Sequence, residues 1–77
     1  MKSFEFALPI DEALPALTAA LRDGDPGVRR AAVLALLKCG PGARAAAGAL
    51  AELRQRDRDP HVRACAARAL ARVEAGE

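Results

Sequence analysis

The residues best placed for chemistry in this 77-residue chain are its single histidine and a cysteine four positions later. On a helix, His61 and Cys65 would lie one turn apart on the same face. That spacing could bring two metal ligands together or set a base beside a thiol. The sequence has no second histidine, only one serine and one threonine, and no phosphate-binding glycine motif. We therefore interpret His61 as solvent-exposed and Cys65 as a small packing residue, and we predict no catalytic residue, metal or cofactor.

Both residues belong to a twelve-residue pattern that the chain contains twice, at 25–36 and again 34 residues later at 59–70. Self-similarity at such a period is typical of stacked supersecondary units. Each copy opens with an aspartate that can cap a first helical turn, Asp25 or Asp59, followed by a proline suited to the first helical position. Apolar residues then recur at helical spacing. The pattern predicts two equivalent helices.

The pattern Asp-Pro-x-Val-Arg-x-x-Ala-x-x-Ala-Leu resembles the second helix of a HEAT repeat, particularly the short bacterial repeats of the phycobilin-lyase type. Residues 14–21 resemble the family's first helix, including its proline, and the resemblance covers roughly residues 13–73. It implies an all-α fold, a short α-solenoid, and says little about activity. It also implies a structural ladder of hydrogen bonds between repeats, carried by Asp25, Arg29, Asp59 and Arg63.

Four helices in two HEAT-like hairpins are expected across residues 11–77. They run from between Asp11 and Leu14 to Asp23-Gly24, from Pro26 to about Cys39, from about Ala43 to Arg56, and from Pro60 to about Val73. Helical spacing predicts their inward residues. These are Leu14, Leu17 and Leu21; Val28, Ala32, Ala35, Leu36 and Cys39; Ala46, Ala49, Leu50 and Leu53; and Val62, Ala66, Ala69, Leu70 and Val73.

The two cysteines are not expected to form a disulfide. If the second and fourth helices lie parallel, Cys65 is level with Ala31, and Cys39 stands eight residues further along. That offset is about 12 Å of axial rise, whereas disulfides need Cα atoms within about 7 Å. Two free thiols fit a reducing cytoplasm.

Residues 1–10 differ from the rest of the chain. Phe4, Phe6, Leu8 and Ile10 alternate with other residues, which is the period of a strand. We predict an extended N-terminal arm that either covers the first repeat or docks on another chain. The second possibility leads us to expect a symmetric homodimer formed through residues 1–10.

Charge is distributed unevenly along the chain. Residues 1–26 carry two basic and five acidic residues, and residues 27–73 carry ten basic and three acidic residues. Helical projection places four cations on the outward side of the second and fourth helices, the side that is concave in HEAT proteins. Val33, Leu34 and Leu37 lie beyond the core stripe of the second helix, and Leu34 is the least easily buried by its neighbour. The predicted partner-binding residues are Arg30, Leu34, Lys38, Arg68 and Arg72.

These features favour a non-catalytic protein-interaction module, an adaptor or assembly factor that binds another protein on the face of the second helices. A basic concave face leaves a nucleic-acid-binding module as an alternative, although the chain has no Trp or Tyr to stack on bases. The resemblance to phycobilin lyases suggests a third class, an accessory subunit of a lyase-type enzyme. The sequence has no run of 18 apolar residues and no signal-peptide pattern, so we expect a cytoplasmic protein with no membrane partner.

Overall fold

The computed structural model of the chain describes residues 10–75. Its elements are the helices α1 (Ile10–Ala20) and α2 (Pro26–Cys39), a 3₁₀ segment (Gly40–Ala46), and the helices α3 (Ala47–Arg56) and α4 (Pro60–Glu74). The all-α, two-hairpin architecture expected from the repeat is confirmed. The predicted arm, residues 1–9, lies outside the described residues.

The second helix of each hairpin begins where the sequence predicts. The Asp25 carboxylate accepts the Gly27 N–H at 2.8 Å. The Asp59 carboxylate accepts the N–H groups of His61 and Val62 at 2.7 and 3.3 Å. These bonds satisfy first-turn donors that have no partner within their own helix. Asp-Pro therefore fixes the starts of α2 and α4 locally, and this part of the prediction is confirmed.

The third helix starts later than predicted. Gly40 ends α2 with a positive φ of 60° and donates its N–H to the carbonyls of Leu36 and Leu37, which suits glycine. The chain then forms the 3₁₀ segment, and Ala43 within it leaves helical geometry at φ −99° and ψ 22°. A single helix from Ala43 to Arg56 is therefore wrong, and α3 begins at Ala47.

The first helix begins at Ile10, the last residue of the stretch for which the sequence predicts an arm. Pro15 lies inside α1 and does not start it. Pro15 is the sixth of the eleven residues of α1, so its missing N–H removes one backbone hydrogen bond from the middle of the helix, at a cost of about 3 kcal/mol. The α-helix ends at Ala20, and tighter bonds from Arg22 N–H to Ala19 O (3.0 Å) and Asp23 N–H to Ala20 O (3.1 Å) lead into the turn.

The parallel pair α2 and α4 forms the centre of the molecule, with α1 packed on α2 and α3 packed on α4. The 3₁₀ segment closes the core against α4. Five of the twelve buried apolar residues in the described part of the chain are alanines, and such small side chains allow helices to approach closely. The largest fully buried side chains are Leu21, Val33, Leu36, Leu50, Val62 and Val73.

Two valines of α2 exchange the positions predicted for them. Val33, placed beyond the core stripe by helical spacing, is completely buried, and Val28, placed in the stripe, is 39% exposed. A helical projection assumes that a helix buries one apolar stripe. Because α2 packs against both α1 and α4, its buried face differs from the stripe that the projection gives. All five inward residues predicted for α4 are buried, as expected.

Within residues 10–75, no helix combines the length and the apolar content that crossing a membrane requires.

Candidate partner-binding surface

An ion pair between the repeats holds one end of α2 and α4 together. Arg29 donates from Nε to Asp57 Oδ2 at 2.8 Å and from Nη2 to Asp57 Oδ1 at 3.0 Å. The two side chains are 12% and 3% exposed. Arg29 also donates from Nη1 to the carbonyl oxygens of Asp23 and Gly24 at 2.8 and 3.1 Å. The guanidinium therefore connects the turn before α2 to the turn before α4.

The acceptor in this pair is a residue that the sequence analysis left out of the ladder. Asp25 and Asp59 cap their own helices, and Arg63 donates to the backbone carbonyls of Asp57 and Arg58. Arg29 thus reaches across the repeats to Asp57, not to Asp59. A sequence signal for this existed: Asp23 and Asp57 both precede a capping aspartate by two residues, with the same 34-residue offset.

Asp57 joins three elements. Its backbone N–H donates to Leu53 O at 3.1 Å at the end of α3, and its Oδ1 accepts the Asp59 N–H at 2.9 Å at the start of α4. Burial raises the pKa of Asp57, but hydrogen bonds from Arg29 and from the Asp59 N–H, with the nearby charges of Arg29 and Arg63, lower it further. The net effect holds the pKa of Asp57 below 3.8, its ordinary value.

The five predicted partner-binding residues are all exposed and lie on the two adjacent central helices. Leu34 is 40% exposed, the largest exposed fraction of any large apolar side chain in the described part of the chain. Lys38 and Arg68 flank it on α2 and at the equivalent position of α4. We call the surface formed by Arg30, Leu34, Lys38, Arg68 and Arg72 the α2–α4 face.

Contacts between the helices join the two halves of the α2–α4 face. Arg30 shares a shallow depression with Asp59, His61 and Val62 at the start of α4. At the other end, Arg72 Nε lies 3.8 Å from the position a side chain on Gly40 would occupy, beside the end of α2. Arg30 of α2 therefore lies near the start of α4, and Arg72 of α4 lies near the end of α2. The four cations and Leu34 of the α2–α4 face are exposed on these two adjacent helices.

The histidine and the cysteine singled out in the sequence both lie on α4. His61 is exposed in the first turn of α4, and Cys65 is half-buried. Both Cys39 and Cys65 are free thiols. Among residues 10–75, no group of three or more His, Cys, Asp or Glu side chains is arranged to hold a metal ion.

Paired helices stacked in register, with an ion pair between equivalent turns, define a short α-solenoid of helical repeats. The sequence model described as HEAT repeats matches residues 5–71. The chain belongs to the HEAT-repeat family. Searches of curated proteins and of solved structures find no match. HEAT repeats generally mediate protein–protein interactions and typically act as non-catalytic scaffolds.

Proposed function

We propose that this chain is a non-catalytic adaptor or assembly module that binds a partner protein on the α2–α4 face. The observation that carries the proposal is the exposure of Leu34, 40%, on a central helix whose other large apolar residues are buried or half-buried except Val28. An exposed leucine surrounded by charged side chains matches the organisation of interface hot spots, in which an apolar anchor is enclosed by a polar rim.

The charge of the face defines the chemistry of the partner. Arg30, Lys38, Arg68 and Arg72 are exposed cations, and no carboxylate of residues 10–75 forms an ion pair with them. Complementary potential accelerates encounter and excludes partners of like charge. The partner surface that fits is therefore acidic, with an apolar pocket that accepts Leu34. Arginines also suit such a surface because they pair with carboxylates in bidentate geometry.

Replacing Leu34 with alanine should weaken partner binding while the chain stays folded. Part of Leu34 packs on its neighbours, so we expect a loss of about 1 kcal/mol of unfolding free energy or less. A binding hot spot would lose about 2 kcal/mol or more of affinity, roughly thirtyfold. Proteins captured from the host by the wild-type chain would first be identified, and the purified partner then titrated against both chains by calorimetry.

Leu36→Ala provides the matched control, because Leu36 lies two residues away in α2 and is completely buried. That variant should lose about 2–5 kcal/mol of stability, as core leucines do. Urea unfolding of both variants separates the two roles. A loss of several kcal/mol in Leu34→Ala, or unchanged affinity for the partner, would contradict the proposed role of Leu34.

A nucleic-acid-binding module is the second candidate, favoured by the four exposed cations on one face. Phosphate binding would weaken steeply with salt, with a logarithmic slope of about −0.9 for each phosphate contact. We expect no such binding when anisotropy of labelled duplex and single-stranded oligonucleotides is measured between about 50 and 200 mM salt. Tight binding that Lys38→Glu weakens and Leu34→Ala leaves unchanged would favour nucleic acid over protein.

The remaining sequence-based expectations stay predictions. A homodimer formed through residues 1–10 involves residues outside the described part of the chain, and a cytoplasmic location and a role as an accessory subunit of a lyase-type enzyme are implied by pattern and resemblance. Sedimentation of the full-length chain at tens of micromolar tests the dimer. A dimer that becomes monomeric when residues 1–10 are deleted would support it, and a monomeric full-length chain would contradict it.

A further inference from the structure

The turns before α2 and α4 carry the same hydrogen bonds. Asp23 Oδ1 accepts the Asp25 N–H at 2.9 Å, and Asp57 Oδ1 accepts the Asp59 N–H at 2.9 Å. Arg29 Nη1 donates to two carbonyls of its turn, and Arg63 Nη1 does the same, to Asp57 O at 2.7 Å and Arg58 O at 3.4 Å. Each turn therefore holds its arginine in an equivalent way.

Arg29 and Arg63 differ in the acceptors that their Nε and Nη2 atoms bind. Arg29 directs Nε and Nη2 at the carboxylate of Asp57 in the next repeat. Arg63 Nε and Nη2 have no acceptor among residues 10–75, and the Asp23 carboxylate has no cationic partner there. Within the described residues, the ladder thus leaves a donor without an acceptor at Arg63, at its C-terminal end, and a carboxylate without a cation at Asp23, at its N-terminal end.

Apolar side chains also differ in exposure between the inner contact, where the two repeats meet, and the two outer ends of the ladder. Val62, next to the pair between the repeats, is 1% exposed, and Val28 at the equivalent position of the first repeat is 39% exposed. At the other end, Ala67 and Ala71 of α4 are half-buried and exposed, whereas their equivalents in α2, Val33 and Leu37, pack into the core. Small residues on α4 leave room for a side chain from outside.

We propose that a second copy of this chain stacks head-to-tail on the first. Asp23 of the second copy pairs with Arg63 of the first, which repeats the Arg29–Asp57 pair, and Val28 of the second copy packs against the alanine side of α4. Helix α2 of the second copy then packs against α4 of the first copy in the way that α4 packs against α2 within one chain. Such a contact is heterologous and does not close on itself, so stacking continues beyond two copies as concentration rises.

This contact is separate from the α2–α4 face and does not depend on the proposed partner. The contact consists of one exposed ion pair and one valine packed on small side chains, so association should be weak and visible at roughly 0.1–1 mM, as for contacts at the low end of interface size. Sedimentation velocity of the full-length chain over that range should show an average mass that rises steadily with concentration.

A charge exchange tests the pairing directly. Asp23→Arg places arginines at both ends and Arg63→Asp places aspartates at both ends, so each variant should associate at least about tenfold more weakly than wild type because like charges face each other. An equimolar mixture restores opposite charges at every contact and should recover association. Arg63→Asp also removes the hydrogen bonds from Arg63 to the carbonyls of its turn, so circular dichroism of each variant is needed to show that it still folds.

Val28→Asp provides a second route that leaves both ladder residues in place, and it should also weaken association. Lys38→Glu and Leu34→Ala, on the α2–α4 face, should leave association unchanged, which separates this contact from partner binding. A wild-type chain that stays monomeric near 1 mM overturns the proposal. Association that survives in both charge variants, or a mixture no stronger than its components, also overturns it and places the contact elsewhere, including residues 1–9.

Discussion

Replacing Val62 with aspartate should unfold the domain, and the same replacement at Val28 should leave it folded. The two valines occupy equivalent positions 34 residues apart, in the first turn of α4 and of α2. Val62 is 1% exposed because α2 lies against it, and Val28 is 39% exposed. A buried carboxylate without a partner costs several kcal/mol, and a 77-residue domain has a total of about 4–11 kcal/mol. At Val28 the charge stays in water at a helix start, where anions are favoured.

Far-UV circular dichroism and urea unfolding would measure both variants. We expect loss of the helical signal, or a stability too low for a folded baseline, in Val62→Asp, and a change within about 1 kcal/mol in Val28→Asp. Leu70→Asp, which buries a charge at a residue 6% exposed, should behave like Val62→Asp, and Arg68→Asp on the α2–α4 face should keep its helical signal. Unfolding of Arg68→Asp together with a folded Leu70→Asp would contradict the register of α4.

The elements predicted most accurately from sequence are those with local signals at their ends. Asp-Pro specifies the start of α2 and α4 through one side chain and one missing N–H, and Gly40 specifies the end of α2 by its positive φ. Neither signal depends on the rest of the fold. The period of 34 residues then gives the architecture, because equivalent helices at such a spacing bury their apolar faces by stacking.

Features that depend on neighbouring helices could not be predicted in the same way. A helical projection assigns one buried stripe, but α2 has neighbours on two sides, so Val33 is buried and Val28 is exposed. The late start of α3 has a related cause. Helix propensity favours its alanines from Ala43 onward, yet Ala43 and Ala46 are held against the core in the 3₁₀ segment, and tertiary contact outweighs propensity.

The candidate surface was partly accessible from sequence. The outward placement of Arg30, Leu34, Lys38, Arg68 and Arg72 follows from periodicity once the core side of each helix is known. The sequence repeats two aspartates in each turn, Asp57 and Asp59 in the second, but which of the two binds Arg29 depends on how far one turn is displaced from the next. The resemblance indicated a ladder, and the three-dimensional offset between repeats selects Asp57 over Asp59 as the acceptor.

Replacing Asp57 with asparagine should destabilise the domain by about 2–3 kcal/mol at neutral pH, as expected for hydrogen bonds between charged groups. The substitution keeps the shape of the side chain and removes its charge, leaving Arg29 opposite a neutral amide in a site where Asp57 is 3% exposed. Asp23→Asn is the matched control at the equivalent turn, since Asp23 is exposed and accepts one backbone bond. It should cost about 1 kcal/mol or less.

Low pH should abolish the difference in unfolding free energy between wild type and Asp57→Asn. Because the pKa of Asp57 in the folded chain is below its ordinary value of 3.8, the unfolded chain binds the proton more tightly than the folded chain does. The stabilisation from the ionised carboxylate is therefore complete above about pH 4–5 and is lost as the pH falls through 3.8 towards the folded pKa. Urea unfolding of wild type and Asp57→Asn between neutral pH and about pH 2 should show curves that converge in acid. A gap that stays constant across this range would mean that Asp57 stabilises the domain through its backbone-capping bond and not through its charge on Arg29.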